Sequence, residues 1–279
     1  MNLHNPVDPE LEKLEISLLL EGIFRQYGYD FRNYAYTSVK RRVTHRLQLE
    51  GFDTATRLLD GVLHDPEMFH RLLGDLVIPV TEMFRDPETF QAFRDGIVPE
   101  LRKLPYARIW HAGCSTGEEP YSMAILLEEE GLLDKTRIYG TDISEGALEQ
   151  AKDGVMPLER MQLYTQNYQA SGGKRAFSEY YVSDHGLVLM KPFLRKNIVF
   201  ARHNLVTDRS FNEFQVIFCR NVMIYFDTVL REHVHRLFYE SLAVGGFLVL
   251  GNKESISFTP MAERYEVFDD ANRIYRKVV

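Results

Sequence analysis

Apolar positions in the first hundred residues recur at helical spacing, and that stretch reads as helices only. Asp8-Pro9 supplies an N-cap followed by proline at the first helical position, and Gly28 closes the segment. A second helix is predicted over Tyr36 to Glu50, ending at Gly51, with Val39, Val43 and Leu47 as its apolar stripe. Asp53-Thr54 and Asp65-Pro66 start two more, the last carrying Met68, Phe69, Leu72, Leu73, Leu76 and Val77 at core spacing. Asp86-Pro87-Glu88 is expected to cap a further helix running to about Leu104, where Pro105 ends it.

The pattern then changes to alternating strands and helices. Strands are predicted near 107–112, 136–141, 197–202, 214–219 and 246–251, with helices near 119–131, 144–153 and 227–243. Alternation of this kind implies a Rossmann-like α/β domain, a mostly parallel sheet with helices on both faces. The stretch at 177–196 interrupts it as a short β insert, a hairpin turning at Asp184 to Gly186. The tail, Tyr265 to Val278, reads as a closing hairpin around Asp269 to Asn272. The expected division is an all-α domain over 1–85 and a sheet domain over 86–279.

Composition narrows the class. The 279 residues are 45% hydrophobic and 26% charged, as in a soluble protein with a sizeable core. No apolar run approaches the roughly 18 residues of a membrane span, and the polar start is read as lacking a secretory signal. Cys114 and Cys219 each follow a strand-like apolar run, so they are expected to be reduced core thiols of a cytoplasmic protein. The nine histidines form no ligand cluster with them, and no metal is expected. A net charge of −7 argues against general affinity for nucleic acid. One stretch departs from that acidity: Thr37 to Leu49 holds Lys40, Arg41, Arg42, Arg46 and His45 with no acid. Arg42 and Arg46, four apart, share a face.

Ligands of a doubly wound sheet sit beyond the carboxyl ends of its strands. Gly113 to Glu118 ends the first strand, Asp142 the second, Asn204-Leu205 the third and Arg220-Asn221-Val222 the fourth, with Tyr225 one turn later. The first turn is a glycine turn opening a helix, the usual cradle for a pyrophosphate. Here, however, Glu118, Glu119 and Pro120 occupy the helix start: two carboxylates and a residue without an N–H. Phosphate would be repelled there, whereas a ligand bearing an ammonium and a sulfonium would be drawn in. The site reads as one for S-adenosylmethionine, with Asp142 placed to accept both ribose hydroxyls.

Four segments carry a family resemblance: Ser-Val-Lys-Arg-Arg-Val at 38–43, Val-Thr-Glu-Met-Phe-Arg-Asp at 80–86, Cys-Ser-Thr-Gly-Glu-Glu-Pro-Tyr-Ser at 114–122, and Phe-Cys-Arg-Asn-Val-Met-Ile-Tyr-Phe at 218–226. The sequence resembles the CheR family of chemotaxis receptor methyltransferases, which methylate glutamates on receptor coiled coils with S-adenosylmethionine and release S-adenosylhomocysteine. The resemblance implies a class I methyltransferase fold. It implies that Thr81 and Arg85 reach the cofactor, that Glu118 or Glu119 holds its ammonium, and that Asp142 holds the ribose. It further implies that Gly113 belongs to the same cofactor loop, that Asn204 and Leu205 frame the adenine, and that Arg220 and Asn221 line the methionine side. Arg85 and Tyr225 would lie closest to the transferred methyl. Lys40, Arg41, Arg42 and Arg46 would dock the receptor's acidic cytoplasmic helical bundle.

The chemistry is consistent with such a site. A glutamate carboxylate, with a reference pKa of about 4.3, is already an anion at neutral pH and needs no general base. The enzyme must align oxygen, methyl carbon and sulfur, which proximity and orientation can reward by roughly 7–11 kcal/mol at best.

Three features depart from the family pattern. Pro79 stands where the family commonly has Asn, and the insert is shorter than in members that tether to a receptor's C-terminal pentapeptide, so no such tether is expected. Gly251-Asn252-Lys253-Glu254-Ser255 also replaces the family's usual His-Ser-Glu version. The chain is expected to act as a monomer. Two other readings fit the same residues: a methyltransferase of this fold acting on another signalling protein or a small acid, and a non-catalytic module that binds the cofactor or its product.

Overall fold

A computed structural model describes residues 8–77, 81–184, 186–257 and 259–279. The chain divides into two compact units, Met1–Ile78 with Tyr225–Arg231, and Pro79–Ile224 with Glu232–Val279. The division therefore precedes the expected boundary at 85. Its cause is burial: Met83 and Phe84 are wholly enclosed in the core of the second unit. Pro79, His185 and Phe258 lie outside the described residues.

The first unit contains α1 (Pro9–Tyr27), α2 (Tyr36–Glu50), α3 (Ala55–His64) and α4 (Pro66–Leu76). The Asp8 side chain accepts from Glu10 N–H at 3.0 Å, and Gly28 closes α1 at φ 76°, as its lack of a Cβ allows. Ile16, Leu19, Leu20 and Ile23 of α1, Val39 and Val43 of α2, Leu58 and Val62 of α3, and Phe69, Leu72 and Leu76 of α4 are among its buried apolar side chains. Tyr27 stacks on Phe69 with centroids 3.8 Å apart. The distant segment at 225–231 joins this unit through Ala35 N–H to Tyr225 O (2.8 Å) and Asp227 N–H to Asn33 O (3.0 Å). An isolated bridge pairs Tyr34 with Phe226, their rings 5.0 Å apart.

The second unit opens with α5 (Pro87–Ala92), which runs through a π-helical turn, Phe93–Ile97, into α6 (Val98–Arg102). The expected single helix is thus interrupted. Pro99 has no N–H to give to the turn before it and its ring crowds the backbone there, which favours a widened turn just upstream. Asp86 does not cap α5: it is left-handed (φ 53°), and its carboxylate bonds elsewhere.

Then follow β1 (Ala107–Ala112), α7 (Glu118–Glu129), β2 (Thr136–Asp142), α8 (Glu145–Asp153), β3 (Val155–Pro157), α9 (Met161–Ala170), β4 (Tyr181–Asp184), β5 (Leu187–Met190) and α10 (Pro192–Arg195). The chain ends through β6 (Ile198–Arg202), β7 (Phe214–Cys219), α11 (Thr228–Ser241), β8 (Leu242–Leu250), β9 (Tyr265–Asp269) and β10 (Ile274–Lys277). Among the described residues the main sheet has seven strands in the order β6-β2-β1-β7-β8-β10-β9. The first five are parallel, and β10 and β9 close the edge antiparallel, as the tail predicts. β1 lies at the centre between β2 and β7, so three informative strand ends are neighbours.

The insert differs from a lone hairpin. β3, lying outside 177–196, pairs with β5 to give a three-stranded antiparallel sheet β3-β5-β4. A strand of three residues is too short to show a period in the sequence. The helix α9, also unexpected, buries Met161, Tyr164 and Tyr168.

Candidate functional site

The turn after β1 is fixed by its backbone. Gly113 N–H and Cys114 N–H both donate to Thr141 O, at 2.8 and 2.9 Å. Gly113 has φ 79°, and a Cβ there would stand 2.4 Å from a Val222 methyl, so only glycine lets β1 and the loop after β7 approach so closely. Gly117 at φ 94° serves the same end against α8, where a Cβ would meet that of Ala151 at 2.9 Å. Cys114 and Cys219 are buried free thiols.

Asp142, 8% exposed at the end of β2, accepts from Ser115 N–H (2.8 Å) and Ser144 N–H (2.9 Å), one on each oxygen. Burial pushes its carboxyl above the usual aspartate value despite those bonds.

The adjacent glutamates have opposite fates. Glu119 spans two strand ends, accepting from His111 Nδ1 at 2.8 Å and pairing with Arg220 at 3.2 Å. Burial alone would raise its pKa, but these partners outweigh it and hold the group below the ordinary glutamate value. Glu118, 3% exposed, accepts among the described residues from the Thr116 hydroxyl at 2.7 Å and the Tyr164 hydroxyl at 3.4 Å, with the charge of Arg160 acting on it from farther off. Burial raises its pKa. Of the two, Glu118 is the carboxylate with no cation hydrogen-bonded to it. Tyr164 is a site residue that sequence reasoning missed, because α9 carries little apolar periodicity.

At the end of β7, Asn221 is left-handed (φ 61°) and its side-chain Oδ1 is buried without a partner. Glu254, 6% exposed, explains the conformation. Its carboxylate accepts from Gly251, Asn221, Val222 and Ile224 N–H at 2.8, 2.9, 3.0 and 3.3 Å, tying the loops after β7 and β8 together. The segment at 251–255, which had no interpretation from sequence, therefore braces the loop that carries Asn221. A lone acid in a polar run gives no sign of such a role. Arg220, by contrast, has its head occupied by protein groups: Glu119, Asp86 (2.6 Å) and the carbonyl of Arg85 (3.0 Å).

Beyond β6, Asn204 and Leu205 are both buried; Asn204 N–H donates to Asp208 at 2.9 Å and its Oδ1 accepts from Val206 N–H at 2.9 Å. Thr81 offers its carbonyl to Arg160 at 3.0 Å. Arg85 is half-buried between two left-handed residues, Phe84 and Asp86. All of these belong to the second unit, whereas Tyr225 is grouped with the first.

The basic helix α2 requires a correction. Arg42 and Arg46 do share a face, but it is turned inward. Arg42 is 6% exposed; one Nη donates to Leu76 O, and its guanidinium lies over the Tyr225 ring, 4.7 Å from the centroid. Arg46 is bound to Asp75 (2.6 Å), Glu50 (3.1 Å) and the carbonyl of Arg71 (3.1 Å). Lys40 pairs with Glu12 and keeps part of its surface, and Arg41 and His45 are exposed. Together with Thr37, Thr44 and Gln48 these three line a shallow groove. The outward basic side chains of α2 are therefore Lys40, Arg41 and His45.

Among the described residues no three His, Cys, Asp or Glu side chains gather as metal ligands, and no helix is long and apolar enough to cross a membrane. The strand ends instead present acceptors: Glu118, Asp142 and the unpaired Asn221 Oδ1. That set fits an ammonium and ribose hydroxyls and offers nothing to a phosphate.

Comparison with known proteins agrees with this chemistry. Residues 14–77 match the model of the CheR methyltransferase all-alpha domain, and residues 79–270 that of the CheR methyltransferase SAM binding domain. A Pseudomonas putida protein named Cher3 is 50% identical over 264 residues, covering 95% of this chain and 97% of that protein. The chemotaxis protein methyltransferase of Salmonella typhimurium is 30% identical over 244 residues, covering 84% and 81% respectively. That of Listeria monocytogenes is 28% identical over 250 residues, covering 89% and 92%.

Proposed function

This chain belongs to the CheR methyltransferase family and binds S-adenosylmethionine, and we propose that it methylates glutamate side chains on the cytoplasmic helical bundle of a chemoreceptor. The observation that carries the reading is the contrast at the start of α7. Glu119 is hydrogen-bonded to His111 and ion-paired with Arg220, whereas Glu118 is a buried carboxylate with no cation hydrogen-bonded to it among the described residues.

Glu118 takes the ammonium of the cofactor, Asn221 Oδ1 accepts beside it, and Asp142 receives the ribose hydroxyls. Asn204 and Leu205 border the adenine. When bound, the cofactor supplies an electrophilic methyl on a sulfonium. The protein's task is then to bring an acceptor anion into line and exclude water. Arg85 forks onto the substrate carboxylate and orients it. The acceptor is already ionised, so the site needs no general base. Lys40, Arg41 and His45 steer the acidic receptor helices. The short β4–β5 connection supports docking without a C-terminal pentapeptide tether, and the reading places the enzyme in the cytoplasm.

The test is incubation with methyl-labelled S-adenosylmethionine and receptor cytoplasmic fragments. Base-labile methyl ester on glutamate is expected. Label on a different acceptor would redirect the substrate assignment, and cofactor binding without transfer to any acceptor would overturn the catalytic reading.

A further inference from the structure

Phe84 (φ 51°) and Asp86 (φ 53°) flank Arg85 in the left-handed region, and neither is glycine. Such conformations persist only where surrounding contacts over-determine them. On one side, Phe84 N–H donates to the Ser122 hydroxyl at 2.8 Å, and that hydroxyl donates to Glu118 O at 2.7 Å, so the turn is tied to α7. On the other side Arg220 closes the turn. Its Nη2 donates to the Arg85 carbonyl at 3.0 Å and to the Asp86 carboxylate at 2.6 Å, while Nη1 reaches Glu119 on α7 at 3.2 Å. Glu119 is anchored in turn by His111 of β1 at 2.8 Å. The Arg220 side chain is 1% exposed, against 33% for Asp86.

We propose that Arg220 is a positioning residue for methyl transfer, not a ligand of the cofactor. It locks the backbone of Arg85 to α7 so that the Arg85 guanidinium is held ready for the incoming carboxylate. Only a planar fork can reach a carbonyl and two carboxylates at once; a lysine ammonium in its place keeps the charge and loses the geometry. The inference rests on the reading of Arg85 as part of the transfer site.

The test uses the full chain with Arg220→Lys and Asp86→Asn, each alone and combined with Arg85→Ala. Single-turnover transfer to a receptor fragment at saturating S-adenosylmethionine is measured beside S-adenosylhomocysteine affinity by calorimetry. Arg220→Lys should slow transfer about tenfold or more while affinity changes less than about threefold, and it should cost nothing further in the Arg85→Ala background. Asp86→Asn removes a partner at the turn's exposed side and should show the same non-additivity, so it decides the matter if Arg220→Lys does not fold. Loss of affinity equal to the loss of rate would make Arg220 a cofactor ligand and overturn the inference. Slow Arg85→Ala with additive double variants would overturn the inference alone. Full-rate Arg85→Ala would instead remove the assignment of Arg85, and this inference with it.

Discussion

Glu118 and Glu119 are neighbours in sequence with identical side chains, yet burial raises the pKa of one and partners lower that of the other. The sequence could not choose between them, because the choice is made by His111 on β1 and Arg220 after β7, both remote along the chain. Glu118→Gln should weaken S-adenosylhomocysteine binding about ten- to a hundredfold, the equivalent of roughly 1.5–3 kcal/mol for a hydrogen bond to a charged group. Calorimetry that finds equal affinities would exclude Glu118 as the ammonium partner. The pH dependence has a definite sign. Glu118 and Asp142 have raised pKa values in the free protein; an ammonium at Glu118 and hydroxyl donors at Asp142 each favour the ionised carboxylate, so binding releases protons. Affinity should rise with pH through those raised values and level off above them. Glu119 acts oppositely on stability: its depressed pKa gives a contribution present above the unfolded value and lost as pH falls through the folded one. Acid should therefore weaken cofactor binding first and the fold afterwards, which titrations of affinity and of thermal midpoint on one sample would separate.

At the scale of elements, periodicity and capping residues made most helices and all five parallel strands legible, because each carries its own local signal. What escaped was set by contacts between elements. β3 exists because β5 offers it a partner, α9 because Tyr164 and Tyr168 find a core, and the π turn because Pro99 sits in a helix whose other residues favour continuation. The basic helix α2 shows the same limit: spacing placed Arg42 and Arg46 on one face but could not say which way it turned. Arg46→Ala should destabilise the protein by about 1–3 kcal/mol, as expected for a half-buried network that loses its centre. A lowered thermal midpoint with cofactor affinity intact is the outcome to look for. Arg41→Glu, on the outward face, should leave the midpoint unchanged and raise the apparent KM for receptor severalfold, more so at low salt. Receptor kinetics indifferent to Arg41→Glu would remove α2 from docking.

At the scale of the whole molecule, chain order and structural unit part company. The strand-end motif Phe-Cys-Arg-Asn-Val-Met-Ile-Tyr-Phe at 218–226 reads as one segment, yet Ile224 belongs to the second unit and Tyr225 to the first. Tyr225 therefore acquires its setting from Ala35 N–H and the Arg42 guanidinium, which the sequence separates from it by most of the chain. The converse is that the helical unit is incomplete without residues 225–231. A fragment of residues 1–78 would lack the bonds from Ala35 N–H to Tyr225 O and from Asp227 N–H to Asn33 O, and the edge contact between Tyr34 and Phe226. Two backbone hydrogen bonds and one aromatic pair together contribute about 2–4 kcal/mol. A unit with so small a core leaves little margin for that loss. Urea unfolding followed by circular dichroism should give the bare fragment a clearly lower midpoint than the same fragment carrying 225–231 on a flexible glycine-serine linker. Coincident transitions would mean that the helices are self-sufficient and that Tyr225 is merely parked against them; separated transitions would mean that the loop after β7 is as much a part of the helical unit as α2 is.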